Sequence, residues 1–169
     1  MFWKMLRERS RVRAVKQLDI VGNLAEPGFE RFVEQAADAF AAPISLLTLI
    51  HDDTLWVKAA LGLDLRCVPR ENGFCSYAVD LGEPLEVCDA RVDPRFQNFS
   101  SVTGEPYVRY YLGAALTLMN GVDVGALCIL DTRPRQPASR DQRAYLIGLA
   151  RQATQALEQR AHIKSSLAA

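Results

Sequence analysis

The 169-residue chain predicts an α+β fold: a central antiparallel sheet of five or six strands, long helices on one face, and a short helix with a long loop on the other. Three observations carry this expectation. Two pairs of apolar runs, each joined by a tight turn, read as β-hairpins. Apolar residues recur at the helical period in two segments that flank the hairpins. Between the hairpins, residues 89–110 have no strong periodicity but hold four aromatics, Phe96, Phe99, Tyr107 and Tyr110. A structureless loop of about twenty residues inside a compact domain is usually functional or disordered, and its aromatics argue against disorder.

Residues 1–11 read as a basic N-terminal extension, and 12–22 as a short amphipathic helix with Val12, Val15, Leu18 and Val21 at three-residue steps, closed by Gly22 and Asn23. Pro27 and Gly28 open the next helix. There Phe29, Phe32, Val33, Ala36, Ala37 and Phe40 form an apolar stripe opposite Glu30, Glu34, Gln35 and Asp38. Pro43 stops it. Ile44–Ile50 and Thr54–Leu61 are strands around a His51-Asp52-Asp53 turn. Residues 62–72 form a loop, Gly73–Leu81 a short helix broken by Gly82, and Pro84–Cys88 a brief strand. Tyr111–Met119 and Val124–Asp131 are strands joined at Asn120-Gly121, a strong hairpin signal. Ser139 with Gln142 three residues on is a capping box. Its helix, with Leu146, Leu149, Ala150, Ala153 and Leu157 on one face, runs to about Lys164. The domain is therefore expected over 12–162, with 163–169 as a tail. With the long helices on one face, the loop roofs the other, a natural place for a small-molecule cavity.

Twenty basic and twenty acidic residues cancel, so no global field points to nucleic acid or an anionic membrane. The charge is uneven: net +5 over residues 1–16, −8 over 17–138 and +3 over 139–169. Basic ends of this kind read as solvated helical extensions or as docking sites for an acidic partner. The longest near-apolar run, Ala39–Ile50, is 12 residues and too short for a bilayer, which needs about 20. The basic N-terminus lacks the apolar core of a signal peptide. A cytoplasmic chain with no membrane or nucleic-acid partner is expected. The cysteines at 67, 75, 88 and 128 form no Cys-x-x-Cys pair, and His51 and His162 are far apart, so no metal site and no cofactor are expected.

Four stretches, taken in order, resemble the GAF family of small sensory domains, related in architecture to PAS domains: PISLLTLIHDDTLWVKAALGLD at 43–64, RENGFCSYAV at 70–79, PLEVCDARVDPRFQNFSSVTGEPYVRYYLGAAL at 84–116 and VGALCILDTRPR at 124–135. The resemblance runs from about Val15 to Gln159. Two departures fall beside the presumed pocket: Ala115 stands where relatives have proline, and Asn98 is followed by Phe99 rather than proline. The resemblance implies a sensory or regulatory domain in signal transduction. Such a domain binds a small molecule under the 89–110 loop, forms a homodimer through its terminal helices, or does both, with a separate signalling output protein as partner.

For a ligand, Arg95 and Arg109 on the loop offer bidentate clamps for a carboxylate or phosphate, with Asp89, Tyr107 and Tyr111 nearby in sequence. Alternatively these arginines pair with Asp89 or Asp93 and lock the loop. Trp56, Phe74, Cys75, Tyr77 and Phe96 are pocket-lining or core positions. An enzymatic alternative resembles the free methionine sulfoxide reductases, with Cys67 and Cys75 as catalytic thiols. Those enzymes also use a cysteine in the roof loop, and here 89–110 has none. Bilin attachment would want histidine after a cysteine, but Val68, Ser76, Asp89 and Ile129 follow the four cysteines. Haem ligation by His51, in a hairpin turn, is weaker still. A third possibility is a ligand-free interaction or dimerisation module whose pocket is filled by its own side chains. Among the thiols, Cys67 beside Arg66 and Arg70 is expected to react first, and Cys75 at a helix N-terminus second. Cys88 is expected to be partly covered. Cys128, on the same strand face as Ala126 and Leu130, is expected to be buried and inert.

Overall fold

A computed structural model describes residues 1–19 and 27–169. Among the described residues there are five α-helices and six strands. The helices are α1 (Phe2–Gln17), α2 (Glu30–Phe40), α3 (Phe74–Leu81), α4 (Ser100–Thr103) and α5 (Arg140–Ala168). The strands are β1 (Ile44–His51), β2 (Thr54–Leu61), β3 (Cys67–Pro69), β4 (Leu85–Val87), β5 (Tyr110–Thr117) and β6 (Asp123–Asp131). They form one sheet in the order β3-β2-β1-β6-β5-β4. Every neighbouring pair is antiparallel.

Both hairpins form where the turn residues place them. Asp52 adopts a left-handed φ of 52° between β1 and β2, and Gly121 one of 81° between β5 and β6. The predicted loop over 62–72 is more structured than its sequence suggests. Cys67–Pro69 adds to the edge of β2 as β3, and Arg70–Asn72 forms a 3-10 turn leading into α3. Three residues are too few to show an alternation in sequence.

The sheet is buried on both faces. On one, α2 lays down Phe32, Val33, Ala36 and Phe40, α5 adds Leu146, Leu149, Ala150, Ala153 and Leu157, and the end of α1 adds Ala14, Val15 and Leu18. These cover Leu47 and Leu49 of β1, Leu112 and Ala114 of β5 and Leu127 and Ile129 of β6. On the other face α3 and the 89–110 loop cover Ile44, Leu46 and Ile50, Ala126, Cys128 and Leu130, and Tyr111. Cys128 thus shares a face with Ala126 and Leu130, as strand alternation predicts.

The terminal helices differ from expectation. The helix expected to begin at residue 12 begins at Phe2, so the basic extension is its first three turns. It ends at Gln17, ahead of the predicted end at Gly22 and Asn23, which lie outside the described residues. The helix α5 starts at the Ser139–Gln142 capping box and continues to Ala168, absorbing the expected tail. At 29 residues it is about 44 Å long, at a rise of 1.5 Å per residue. Its last buried residue is Leu157, so the final turns project beyond the sheet with Ile163 and Leu167 exposed. Phe2, Trp3 and Met5 are exposed on α1.

Candidate functional site: the roof-face core

The roof-face core is assembled from three places far apart in sequence. The central strands supply a floor in which Thr48 pairs with Ala126, Leu46 with Cys128, and Cys128 with Gly113. Tyr111 reaches the middle of that floor by lying along its own strand over Gly113. A Cβ at 113 would sit 2.1 Å from the Tyr111 hydroxyl oxygen, so only glycine leaves the ring this path. The α3 helix supplies Phe74 and Cys75 from above, and the loop supplies Phe96 and Phe99.

These aromatics fill the space under the roof. Phe74 stacks between Phe96 (ring centroids 4.6 Å apart) and Tyr111 (5.1 Å). Phe99 meets Phe74 and Phe96 edge-on, each at 5.4 Å. Offset stacks and edge-to-face pairs are the favoured arrangements of aromatic quadrupoles. Phe96 and Tyr111 are fully buried. Tyr77 closes the stack from outside, edge-on to Phe96 at 4.9 Å, and stays part-exposed. Trp56 stands apart from its expected company. Its neighbours Leu55 and Val57 face the roof, so alternation turns Trp56 towards the helix face, where it pairs with Leu49.

One polar knot lies inside this apolar volume. The Cys75 and Cys128 sulfurs are 3.6 Å apart, and the Tyr111 hydroxyl donates to Cys75 Sγ at 3.3 Å. Hydrogen bonds to the Cys75 sulfur, first from Cys128 and also from Tyr111, outweigh burial and bring its pKa down to about 7. Burial pushes Cys128 and Tyr111 well above their ordinary values. Charge at the knot therefore belongs on Cys75, with its neighbours as donors. Cys67 is exposed on β3 and Cys88 is half-buried, as expected. Cys75 is 2% exposed, so the expectation that it reacts second as an accessible helix-end thiol meets a closed site.

The charged groups of the loop serve the loop itself. Asp89 takes the Arg91 backbone N–H (3.1 Å) and guanidinium (2.7 Å), and Asp93 takes those of Arg95 (3.0 and 2.7 Å). Each is an Asp-x-Arg turn in which a carboxylate caps the backbone two residues on. Arg95 is exposed and lies over Phe96 from outside. Arg109 donates to the carbonyls of Val102 (2.9 Å) and Val108 (3.1 Å), holding α4 against the end of the loop. Tyr107 is exposed beneath Arg109. Of the expected pairings Asp93–Arg95 forms, as a local turn, while Arg109 binds carbonyls and Asp89 binds Arg91.

Two ion-pair sets tie this face to the terminal helices. Glu8 of α1 accepts a bidentate bond from Arg70 (2.6 and 2.9 Å), and Arg11 lies 3.5 Å from Asp80 of α3. Burial alone would raise the Glu8 carboxyl, but the Arg70 hydrogen bond and the two guanidinium charges bring it below the usual range. On β4, Glu86 accepts from Tyr110 (2.7 Å), from the Ala138 backbone (2.6 Å) and from Arg143 of α5. A groove of about 540 Å³ lined by Trp3, Met5, Glu8, Arg70 and Asp80 lies at α1, outside the aromatic stack. Among the described residues no cluster of three His, Cys, Asp or Glu side chains is placed to hold a metal, and no helix is long and apolar enough to cross a membrane.

A sheet roofed on one side by a short helix and a pinned loop, with terminal helices on the other, is matched by the GAF domain family model over residues 26–157. The chain belongs to the GAF family. This GAF domain is 39% identical over 145 residues to a cyclic di-GMP phosphodiesterase of Pseudomonas aeruginosa, covering 85% of the chain and 24% of that protein's length. Among solved structures it is similar to the GAF domain of a Coxiella burnetii phosphoenolpyruvate-protein phosphotransferase, with TM-score 0.68 and 19% identity over 95% of this chain and 98% of that one. It is also similar to a free methionine-R-sulfoxide reductase of Neisseria meningitidis, with TM-score 0.63 and 19% identity over 80% and 78% of the two chains. These structural likenesses concern the fold. The domain is of the signalling type.

The sequence reasoning missed Phe99, Cys128 as the partner of Cys75, Arg91, and Glu86. Phe99 stands one helical turn after Phe96, and the paired Asp-x-Arg segments at 89–91 and 93–95 repeat a local capping signal. Both signals were available. The Cys75–Cys128 and Glu86–Arg143 pairs join residues 53 and 57 positions apart and leave no local trace.

Proposed function

We propose that this GAF domain is the regulatory module of a signalling protein, with its roof-face core completed by its own side chains and its state passed on through α1 and α5. The observation that supports this reading is the Phe96–Phe74–Tyr111 stack with Phe99 against its edge, which packs rings together beneath the loop in the place expected for a ligand. The ion pairs from Glu8 and Arg11 to the α3 side, and from Glu86 to Arg143, supply rigid links to both terminal helices. Similarity to one part of a cyclic di-GMP phosphodiesterase supports a place in second-messenger signalling, with catalysis carried elsewhere. The reductase alternative needs Cys67 and Cys75 to act together. Cys75 has Cys128 as its thiol neighbour, which favours the regulatory reading.

The exposed apolar ends, Phe2, Trp3 and Met5 on α1 and Ile163 and Leu167 on α5, favour a homodimer through these helices. Native mass spectrometry of the purified chain tests both points. The expected result is a species at twice the 18.8 kDa chain mass with no added mass. A retained small molecule that is lost in Phe96→Trp would overturn the self-filled core in favour of a ligand sensor. A monomer at tens of micromolar would remove the dimer.

A further inference from the structure

We infer that Cys75 and Cys128 are a convertible thiol pair, oxidised to an intramolecular disulfide by a small hydroperoxide. The inference concerns the thiols alone and stands whether or not the terminal helices carry an output. Three features of the structure point to it. The sulfurs are already 3.6 Å apart, on the first turn of α3 and on central strand β6. A disulfide needs them at about 2.0 Å, a movement within reach of small side-chain and helix adjustments. Second, the surroundings are arranged asymmetrically. Tyr111, laid over Gly113, aims its hydroxyl at Cys75, whereas the Thr48 hydroxyl of the floor donates to the Ala126 carbonyl. Third, the fully buried Tyr111 hydroxyl has the Cys75 sulfur as its hydrogen-bond partner in an otherwise apolar core, a polar group that phenylalanine would not bring.

The chemistry assigns the two sulfurs different roles. Cys75, as thiolate, attacks the distal oxygen of a hydroperoxide. The O–O bond breaks, the alkoxide or hydroxide leaves and takes a proton, and Cys75 becomes a sulfenic acid. Cys128 then attacks the Cys75 sulfur, the S–O bond breaks, and the hydroxyl leaves with the Cys128 proton as water. In sum two thiols and one hydroperoxide give one disulfide, one alcohol (or water) and one water. Two electrons pass from sulfur to oxygen. Burial selects the oxidant. Hydrogen peroxide is small and neutral enough to enter by local opening of the roof, whereas a glutathione-sized disulfide is restricted to the exposed Cys67.

The full-length chain treated natively with hydrogen peroxide, then unfolded, alkylated and mapped without reduction, tests this directly. The expected product is a cross-linked peptide pair containing Cys75 and Cys128, two hydrogens lighter than the free peptides. Glutathione disulfide should modify Cys67 and leave the buried pair reduced. Tyr111→Phe should slow cross-linking about fivefold, the scale of one lost hydrogen bond, with Cys67 alkylation unchanged. Cys128→Ala should leave a sulfenic acid on Cys75, trapped by dimedone. Should that variant not fold, the wild-type cross-link still decides. Recovery of both Cys75 and Cys128 as free thiols while Cys67 is oxidised, or a Cys67–Cys75 cross-link in their place, would overturn the assignment.

Discussion

The two faces of the sheet are equally dry but built on different plans. The helix face is aliphatic and periodic: Leu146, Leu149, Ala150, Ala153 and Leu157 of α5 and the stripe of α2 meet Leu47, Leu112 and Ile129. The roof face is aromatic, sulfur-bearing and aperiodic, with Phe74, Phe96, Phe99 and Tyr111 around the Cys75–Cys128 pair. The first is a scaffold whose side chains are interchangeable in kind. The second depends on individual rings and one tyrosine hydroxyl, so the same size of substitution should have different consequences on the two sides.

The largest effect is expected from truncating the stack. Phe96→Ala should cost about 3–5 kcal/mol by chemical denaturation, the range for a deleted core aromatic. It should also speed alkylation of Cys75. Leu149→Ala on the helix face should cost about 2–4 kcal/mol and leave Cys75 labelling unchanged. If both variants open Cys75 alike, the two faces unfold as one unit and the distinction between them fails.

Next comes Arg109→Ala. It removes two bonds to the Val102 and Val108 carbonyls of the loop, and should lower stability by about 1–3 kcal/mol. The melt of the ligand-free variant decides this. An unchanged melting temperature would return Arg109 to the role of a ligand clamp.

The pH dependence tests the polar knot. Cys75 is brought down to about 7 in the folded state, against about 8.5 in an unfolded chain. Between these values the unfolded state binds more protons, so stability should rise with pH. Above about 8.5, Cys128 and Tyr111, held protonated by burial, reverse the slope. Denaturation from pH 6.5 to 9.5 should therefore pass through a maximum near the unfolded thiol pKa of about 8.5. Cys75→Ala should flatten the rising limb, and a rise that persists in this variant would assign it to another group.

The smallest effect is expected at the rim. Arg95→Ala breaks an exposed pair with Asp93 and should change stability by less than about 1 kcal/mol, with Cys75 oxidation unaffected. A loss as large as that of Arg109→Ala would mean that the Asp93–Arg95 turn, and not the carbonyl bonds of Arg109, holds the roof shut.

The elements read from local pattern are those whose signal is complete within a few residues. The stripe of α2, the Asn120-Gly121 turn, the Ser139–Gln142 capping box and the common face of Ala126, Cys128 and Leu130 on β6 all form where predicted. They depend on backbone geometry and on a period of 2 or 3.6 residues, which sequence carries directly. The start of α1 falls ten residues before the predicted one because its apolar residues there, Phe2, Trp3, Met5 and Leu6, give way to the polar run 7–11 and continue no stripe at the helical period. The candidate site divides the same way. Phe74, Phe96 and Tyr111 stood out as aromatics, but chain order cannot distinguish a ring that lines a cavity from one that fills it. That is decided when α3 and the loop bring Phe74 and Phe96 to 4.6 Å. Likewise Cys75 acquires Cys128 as a neighbour only through the packing of α3 on the central strand. Tyr111 reaches them only because Gly113, two residues along, leaves its ring a path. Contacts between segments separated by fifty residues follow from how surfaces pack, and local sequence has no term for them.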